Sequence, residues 1–169
     1  MEPGEIAEIS LFAALTAVGA MISIPIGPVP ITLQVLFVLL SGLLLGPRLG
    51  FLSQVLYLTI GAMGFPVFSR FSGGVAVLYG PTAGYLWAFP LAALVAGLFR
   101  KRTGLALAGS LIGVGIIYLL GWFRLSLLIG EARAFEVGVL PFVPSDALKA
   151  IAAVWIAKEV RALLPEDAL

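Results

Sequence analysis

An all-α membrane protein, built as a bundle of six transmembrane helices with N and C termini cytoplasmic, is the fold class predicted by three features of the 169-residue sequence. Its residues are 61% hydrophobic and 11% charged, with a mean hydropathy of +1.13, far from the balance of a water-soluble domain. The apolar residues fall in runs broken by Pro, Gly or charge; barrel strands would alternate polar with apolar, but 36–45 is apolar at nearly every position. The basic residues cluster on the connections of one side. At about 20 residues per crossing, the length admits about six crossings and no further domain, so 1–169 reads as a single transmembrane domain.

The first helix is expected over 6–24. The preceding residues carry Glu2, Glu5 and Glu8 but no basic residue, unlike a secretory signal, so this segment is expected to stay in the mature protein. Pro25, Pro28 and Pro30 end it and form the first outer connection. Helices at 33–46 and 49–63 flank the Gly46-Pro47-Arg48 turn, both short for a hydrocarbon layer of about 30 Å and so tilted or extended by their flanks. The next connection, 64–82, mixes Gly64, Gly73, Gly74 and Gly80 with Phe65, Val67, Phe68 and Phe71, too apolar for a free loop. Irregular backbone at membrane depth is tolerated where protein or a wet cavity satisfies it, so both outer loops are expected to fold over a pocket. Helices at 84–99, 104–121 and 146–164 complete the bundle.

Orientation follows the excess of Lys and Arg on cytoplasmic connections. With six crossings, Arg48, Arg100, Lys101, Arg102, Lys158 and Arg161 fall on one side. Arg70, Arg124 and Arg133 fall on the other, accompanied by Glu131 and Glu136. The Arg100-Lys101-Arg102 run therefore reads as a topology signal beside lipid phosphate rather than a ligand site.

Composition narrows the chemistry. The chain has no cysteine and no histidine, which removes disulfides, thiolate and imidazole ligands and the commonest general base. A net charge of +1 does not make a nucleic-acid surface. There is no G-x-x-x-x-G-K-[ST] phosphate loop, no metal-ligand cluster and no catalytic pair inside a helix. No enzyme activity and no cofactor are expected.

In so apolar a chain an ionisable residue inside a helix is a functional candidate. Asp146 and Lys149 open the last segment three residues apart, on one face of the helix. Along that stripe come Ala150, Ala153 and Ala157, small residues that turn the face toward the bundle. The pair reads either as an interfacial anchor, with Lys149 snorkelling to water, or as a ligand site. The two outer loops, converging on the same side, favour the ligand. Gln34 and Tyr85 begin helices beside those loops and are further ligand candidates, whereas Gln54 and Tyr57 are expected to bond between helices. Ala13 and Ala17, with Gly19 and Ala20, make a small face on the first helix for internal packing or for docking a partner.

The chain resembles the BioY family, the biotin-specific S components of energy-coupling factor (ECF) transporters, nearly end to end. The resemblance is carried by Ala13-Ala14-Leu15-Thr16-Ala17, Pro28-Val29-Pro30-Ile31-Thr32-Leu33-Gln34, Gly64-Phe65-Pro66-Val67-Phe68 with Phe71-Ser72-Gly73-Gly74, Gly80-Pro81-Thr82-Ala83-Gly84-Tyr85 and Pro144-Ser145-Asp146-Ala147-Leu148-Lys149. It implies high-affinity biotin capture and uptake across the cell membrane by a multi-pass protein whose first and third loops close the pocket. It places Asp146 and Lys149 on the ligand, and Arg70 at a contributing position where family members commonly carry a neutral amide. It also implies an EcfT-like membrane coupling subunit, met through Ala13 and Ala17, and two cytoplasmic ATPase subunits. An S component for another small vitamin is the alternative, followed by a small membrane enzyme using Asp146.

Overall fold

The structure is a computed structural model that describes residues 1–163. Helix α1 spans Pro3–Met21 and starts at a capping box, in which the Glu2 amide donates to Glu5 Oε2 at 2.9 Å, with Pro3 where a missing N–H costs nothing. The first loop then forms a minimal antiparallel hairpin, β1 (Ser23–Ile24) on β2 (Ile31–Thr32), with Ser23 opposite Thr32. Helices α2 (Gln34–Leu45) and α3 (Pro47–Ala62) meet at Gly46, whose φ of +89° suits a residue without Cβ. The third loop carries two 3₁₀ turns, Ser69–Phe71 and Val75–Tyr79, before α4 (Ala83–Leu98). Helix α5 (Thr103–Ile129), the short α6 (Glu131–Gly138) and α7 (Val143–Leu163) follow.

The fold is thus all-α and membrane-associated. Helices α1 and α5 are long and apolar enough to cross a membrane, and α6 with α7, bent by 50° at their junction, makes a third such span when counted as one.

Three elements differ from the reading of the sequence. Helix α5 continues past Gly121 to Ile129, because the stretch from Trp122 onward holds neither Pro nor Gly until Gly130. Gly121 is a packing position: a Cβ there would overlap the Tyr85 ring. The connection expected after it folds instead as α6, whose Glu131, Arg133 and Glu136 give it a charged face. The last helix begins at Val143, ahead of the expected start at 146; the Ser145 hydroxyl donates back to the Phe142 carbonyl at 3.1 Å, and Asp146 sits inside the first turn.

Helices α2 and α4 approach at Gly42, where a Cβ would overlap the Ala93 carbonyl. Around that contact Val38, Leu39, Leu43, Ala88, Ala92 and Ala96 are fully buried. A polar knot ties α1, α2 and α3: the Gln54 amide nitrogen lies 3.2 Å from each of the Thr16, Ser41 and Ser53 hydroxyl oxygens. Each of those hydroxyls donates within its own helix, to the carbonyls of Phe12, Val38 and Gly50. Tyr57, expected to bond between helices, does so as well.

Candidate functional site

One cavity lies under the two outer loops, between α2, α4, α5 and α7, and its space together with the open mouth is about 560 Å³. Its walls are apolar where Val29, Val35, Phe68, Leu86, Phe89, Ile117 and Phe142 face it, and polar where Thr32, Ser69 and Thr82 do.

Asp146 and Lys149 form the ionic centre. Lys149 Nζ lies 2.7 Å from Asp146 Oδ1, and the residues are 8% and 2% exposed, so the pair is desolvated rather than anchored in water. Among the described residues it is the single ion pair. The Tyr118 hydroxyl donates to Asp146 Oδ2 at 2.8 Å, so both carboxylate oxygens are engaged. Lys149 retains two N–H donors beyond the one that serves Asp146. Breaking such a pair by removing one partner is strongly unfavourable, whereas a ligand that accepts from Lys149 and donates to Asp146 keeps it satisfied.

Gln34 lines the cavity, yet both ends of its amide are engaged within the protein. The Thr32 hydroxyl donates to its Oε1 at 2.9 Å and its Nε2 donates to the Tyr57 hydroxyl at 2.7 Å. Tyr57 in turn donates to the Val67 carbonyl at 3.0 Å, so Gln34 and Tyr57 fasten the first loop to the third. Phe68 follows Val67 inward: a Cβ at Gly61 would overlap its ring, and Tyr57 meets it edge-on at 5.5 Å. Tyr85 presents its ring to the cavity and sends its hydroxyl to the Gly138 carbonyl at 2.8 Å, fixing α6 against the wall.

Arg70 is not brought to the cavity wall; its neighbour Ser69 is. The exposed guanidinium reaches across to the Gly27 carbonyl at 3.4 Å, joining the tips of the two loops, on a backbone with φ of +59°. Ala13 and Ala17 lie elsewhere, in an open groove between α1 and α3 shared with Ser10, Ala14, Leu56 and Ile60. Ala13 is buried on its floor, and Ser10 and Ala14 are its exposed members.

Tyr118 is the site residue that the sequence reading missed. Its signal was available: a phenol in the middle of an apolar helix needs an acceptor, and Asp146 is the buried carboxylate within reach. Among the described residues no group of three or more acidic, Cys or His side chains could hold a metal.

Comparison with known proteins agrees along nearly the whole chain. The BioY family model matches residues 1–166. A probable biotin transporter BioY of Pyrococcus horikoshii is 52% identical over 161 residues, covering 95% of this chain and 98% of that one. The biotin transporter BioY of Thermotoga maritima is 49% identical, with 90% and 93% covered. A crystal structure of the S-component for biotin from an ECF-type ABC transporter superposes with a TM-score of 0.87 at 28% identity, covering 96% and 95% of the two chains.

Proposed function

The chain belongs to the BioY family, and from that premise we infer that it is the biotin-binding S component of an ECF-type ABC importer, a transport protein that carries out no covalent chemistry. The observation that carries the reading to particular residues is the buried Asp146–Lys149 pair, joined by Tyr118, at the end of a largely apolar cavity.

Biotin has a ureido ring with two N–H donors and a carbonyl acceptor at one end, and a carboxylate on a flexible chain at the other. The ureido group enters at the ion pair: Asp146 accepts an N–H while Lys149 donates to the carbonyl. The opposite pose, with Lys149 on the carboxylate, would set that charge beside Asp146. The bicyclic body and aliphatic chain then lie against Phe68, Phe89 and Ile117, and the carboxylate emerges near the Arg70 side of the mouth. Gln34 and Tyr85 hold the wall, and Arg70 straps the two loops.

The whole chain acts as one transmembrane substrate-binding domain of the cell membrane. It crosses six times, with α1, α2, α3, α4, α5 and α7 as crossings and α6 lying on the outer surface. Both termini are cytoplasmic, as the basic residues at that end favour. An EcfT-like coupling subunit seats on the groove beside Ala13 and Ala17, and two cytoplasmic ATPase subunits drive the cycle, since the chain has no phosphate loop of its own.

Equilibrium binding of radiolabelled biotin to the detergent-solubilised chain tests the reading. Saturable binding of one biotin per chain, resisted by an excess of other vitamins, is expected. Saturation by another vitamin and not by biotin would move the chain to the alternative within its class.

A further inference from the structure

At the opposite end of the bundle from the Asp146–Lys149 cavity, Arg100, Lys101, Lys158 and Arg161 converge on a second cavity of about 510 Å³, mouth included. The sequence alone makes Arg100-Lys101-Arg102 a marker of topology. The fold does something more specific with it. Arg100, in the turn between α4 and α5, folds back under α2 and donates from Nη1 to the Leu44 carbonyl at 3.0 Å. Arg161, on the last turn of α7, donates from Nη1 to the Arg100 carbonyl at 2.6 Å and from Nη2 to the Leu43 carbonyl. The guanidinia thus take up carbonyls that the end of α2 leaves without partners.

Capping explains part of the arrangement only. It uses one donor of Arg100 and two of Arg161, from five on each. It gives no role to Lys101 and Lys158, and among the described residues no acidic side chain lines the cavity to offset the four positive charges. The local helix adds to the imbalance. Helix α5 begins at Thr103 with no side-chain cap and no acid in its first turn, so its unpaired amides carry positive charge toward a cationic turn. Like charges gathered around a cavity are mutually destabilising unless an anion lies among them.

We propose that this cavity binds a phosphate group. A phosphate supplies one to two negative charges and several acceptor oxygens, enough to meet two guanidinia, two ammonium groups and the amides at a helix start together. The apolar flank, Leu43, Ala106 and Val154, continues from the cavity into the bundle at a helix end, where the phosphodiester of an anionic lipid would place its first carbons. A lipid headgroup and free phosphate share this chemistry, and the two are separable by experiment.

The probe is phosphatidylglycerol against phosphatidylcholine, titrated into the full-length purified chain in detergent and counted by native mass spectrometry. Lys101→Gln/Lys158→Gln is the variant, because both lysines are exposed and neither caps α2. One phosphatidylglycerol retained per chain in preference to phosphatidylcholine is expected, with a roughly tenfold to thirtyfold loss in the double variant. Biotin affinity and thermal midpoint should not move, so failure here leaves the assigned transport function standing. A lipid-free arm with inorganic phosphate locates the source. Phosphate bound there and lost in the variant supports the site with a soluble ligand, and phosphate that fails to displace phosphatidylglycerol supports the lipid. Equal retention of the two lipids together with no phosphate binding overturns the proposal.

Discussion

Tyr118 on α5 and Asp146 on α7 meet at 2.8 Å through the phenol and the second carboxylate oxygen, so the carboxylate that Lys149 neutralises is also held by a neighbouring helix. Asp146 cannot rotate to follow a ligand without giving up one of these partners. On the proposed binding mode the cluster is therefore set before biotin arrives, which lowers the ordering cost of binding.

Asp146→Asn and Lys149→Met are each expected to weaken biotin binding by about 2 to 5 kcal/mol, the range for truncating one member of a buried hydrogen-bonded charge pair. Tyr118→Phe removes one hydrogen bond to a charged group and should cost about 1.5 to 3 kcal/mol. Isothermal titration of the three proteins measures this. Near-normal affinity in Lys149→Met would show the ion pair to be an anchor rather than a ligand site.

The ureido pose separates the two ends of the ligand. Biotin amide, which lacks the carboxylate charge, should lose similar affinity in wild type and in Lys149→Met. If the amide penalty disappears only in Lys149→Met, the coupling places the carboxylate on Lys149 and reverses the pose.

Tyr57→Phe removes the hydroxyl that joins Gln34 to the Val67 carbonyl. Loosening the third loop from the first should appear chiefly as faster biotin release, since closure of the mouth is what delays escape. A lost buried hydrogen bond of about 1 kcal/mol corresponds to roughly fivefold in rate. Stopped-flow chase with unlabelled biotin gives the rate; an unchanged rate would mean that the two loops move independently of this tie.

Ala14→Trp puts bulk on the exposed side of the groove between α1 and α3. Loss of copurification with the coupling subunit, with biotin binding retained, is the expected outcome. Ala13→Trp should in addition lower stability, because that residue is 3% exposed and its site has no room. Retained copurification in Ala14→Trp would place the partner on another face.

Membrane sidedness can be read by labelling. A single cysteine at Ser72 should react with an impermeant maleimide from outside intact cells, and tags at both ends should be protected. The chain has no native cysteine to confuse the readout. A reactive terminus would overturn the orientation.

The ionic centre was legible in the sequence because an Asp and a Lys three apart in an apolar segment share a face whatever surrounds them. Their burial followed from the alanines continuing that face. The third member was legible only as a phenol in need of an acceptor, not as a partner of Asp146, because Tyr118 approaches from α5, 28 positions away, and only the helix packing brings it there. Gly121 was misread for a related reason: in isolation a glycine marks an end, and here it is a recess for the Tyr85 ring. Gln34 was picked out as a polar group near the loops and Arg70 through the family resemblance, but whether such a group faces ligand or fastens a loop depends on partners such as Tyr57 and Gly27.

The Gln54 knot has a bearing on biogenesis. Thr16, Ser41 and Ser53 have each committed their proton to their own helix and can only accept, so the Gln54 amide is the donor that brings the first three helices into one register. All four residues precede Ala62, the end of α3. Synthesis from the ribosome delivers them before any part of α4, so the early helices hold their own alignment key while later segments are still being inserted. Gln54→Leu should therefore show itself first in the yield of correctly assembled protein, ahead of any change in what the finished molecule binds.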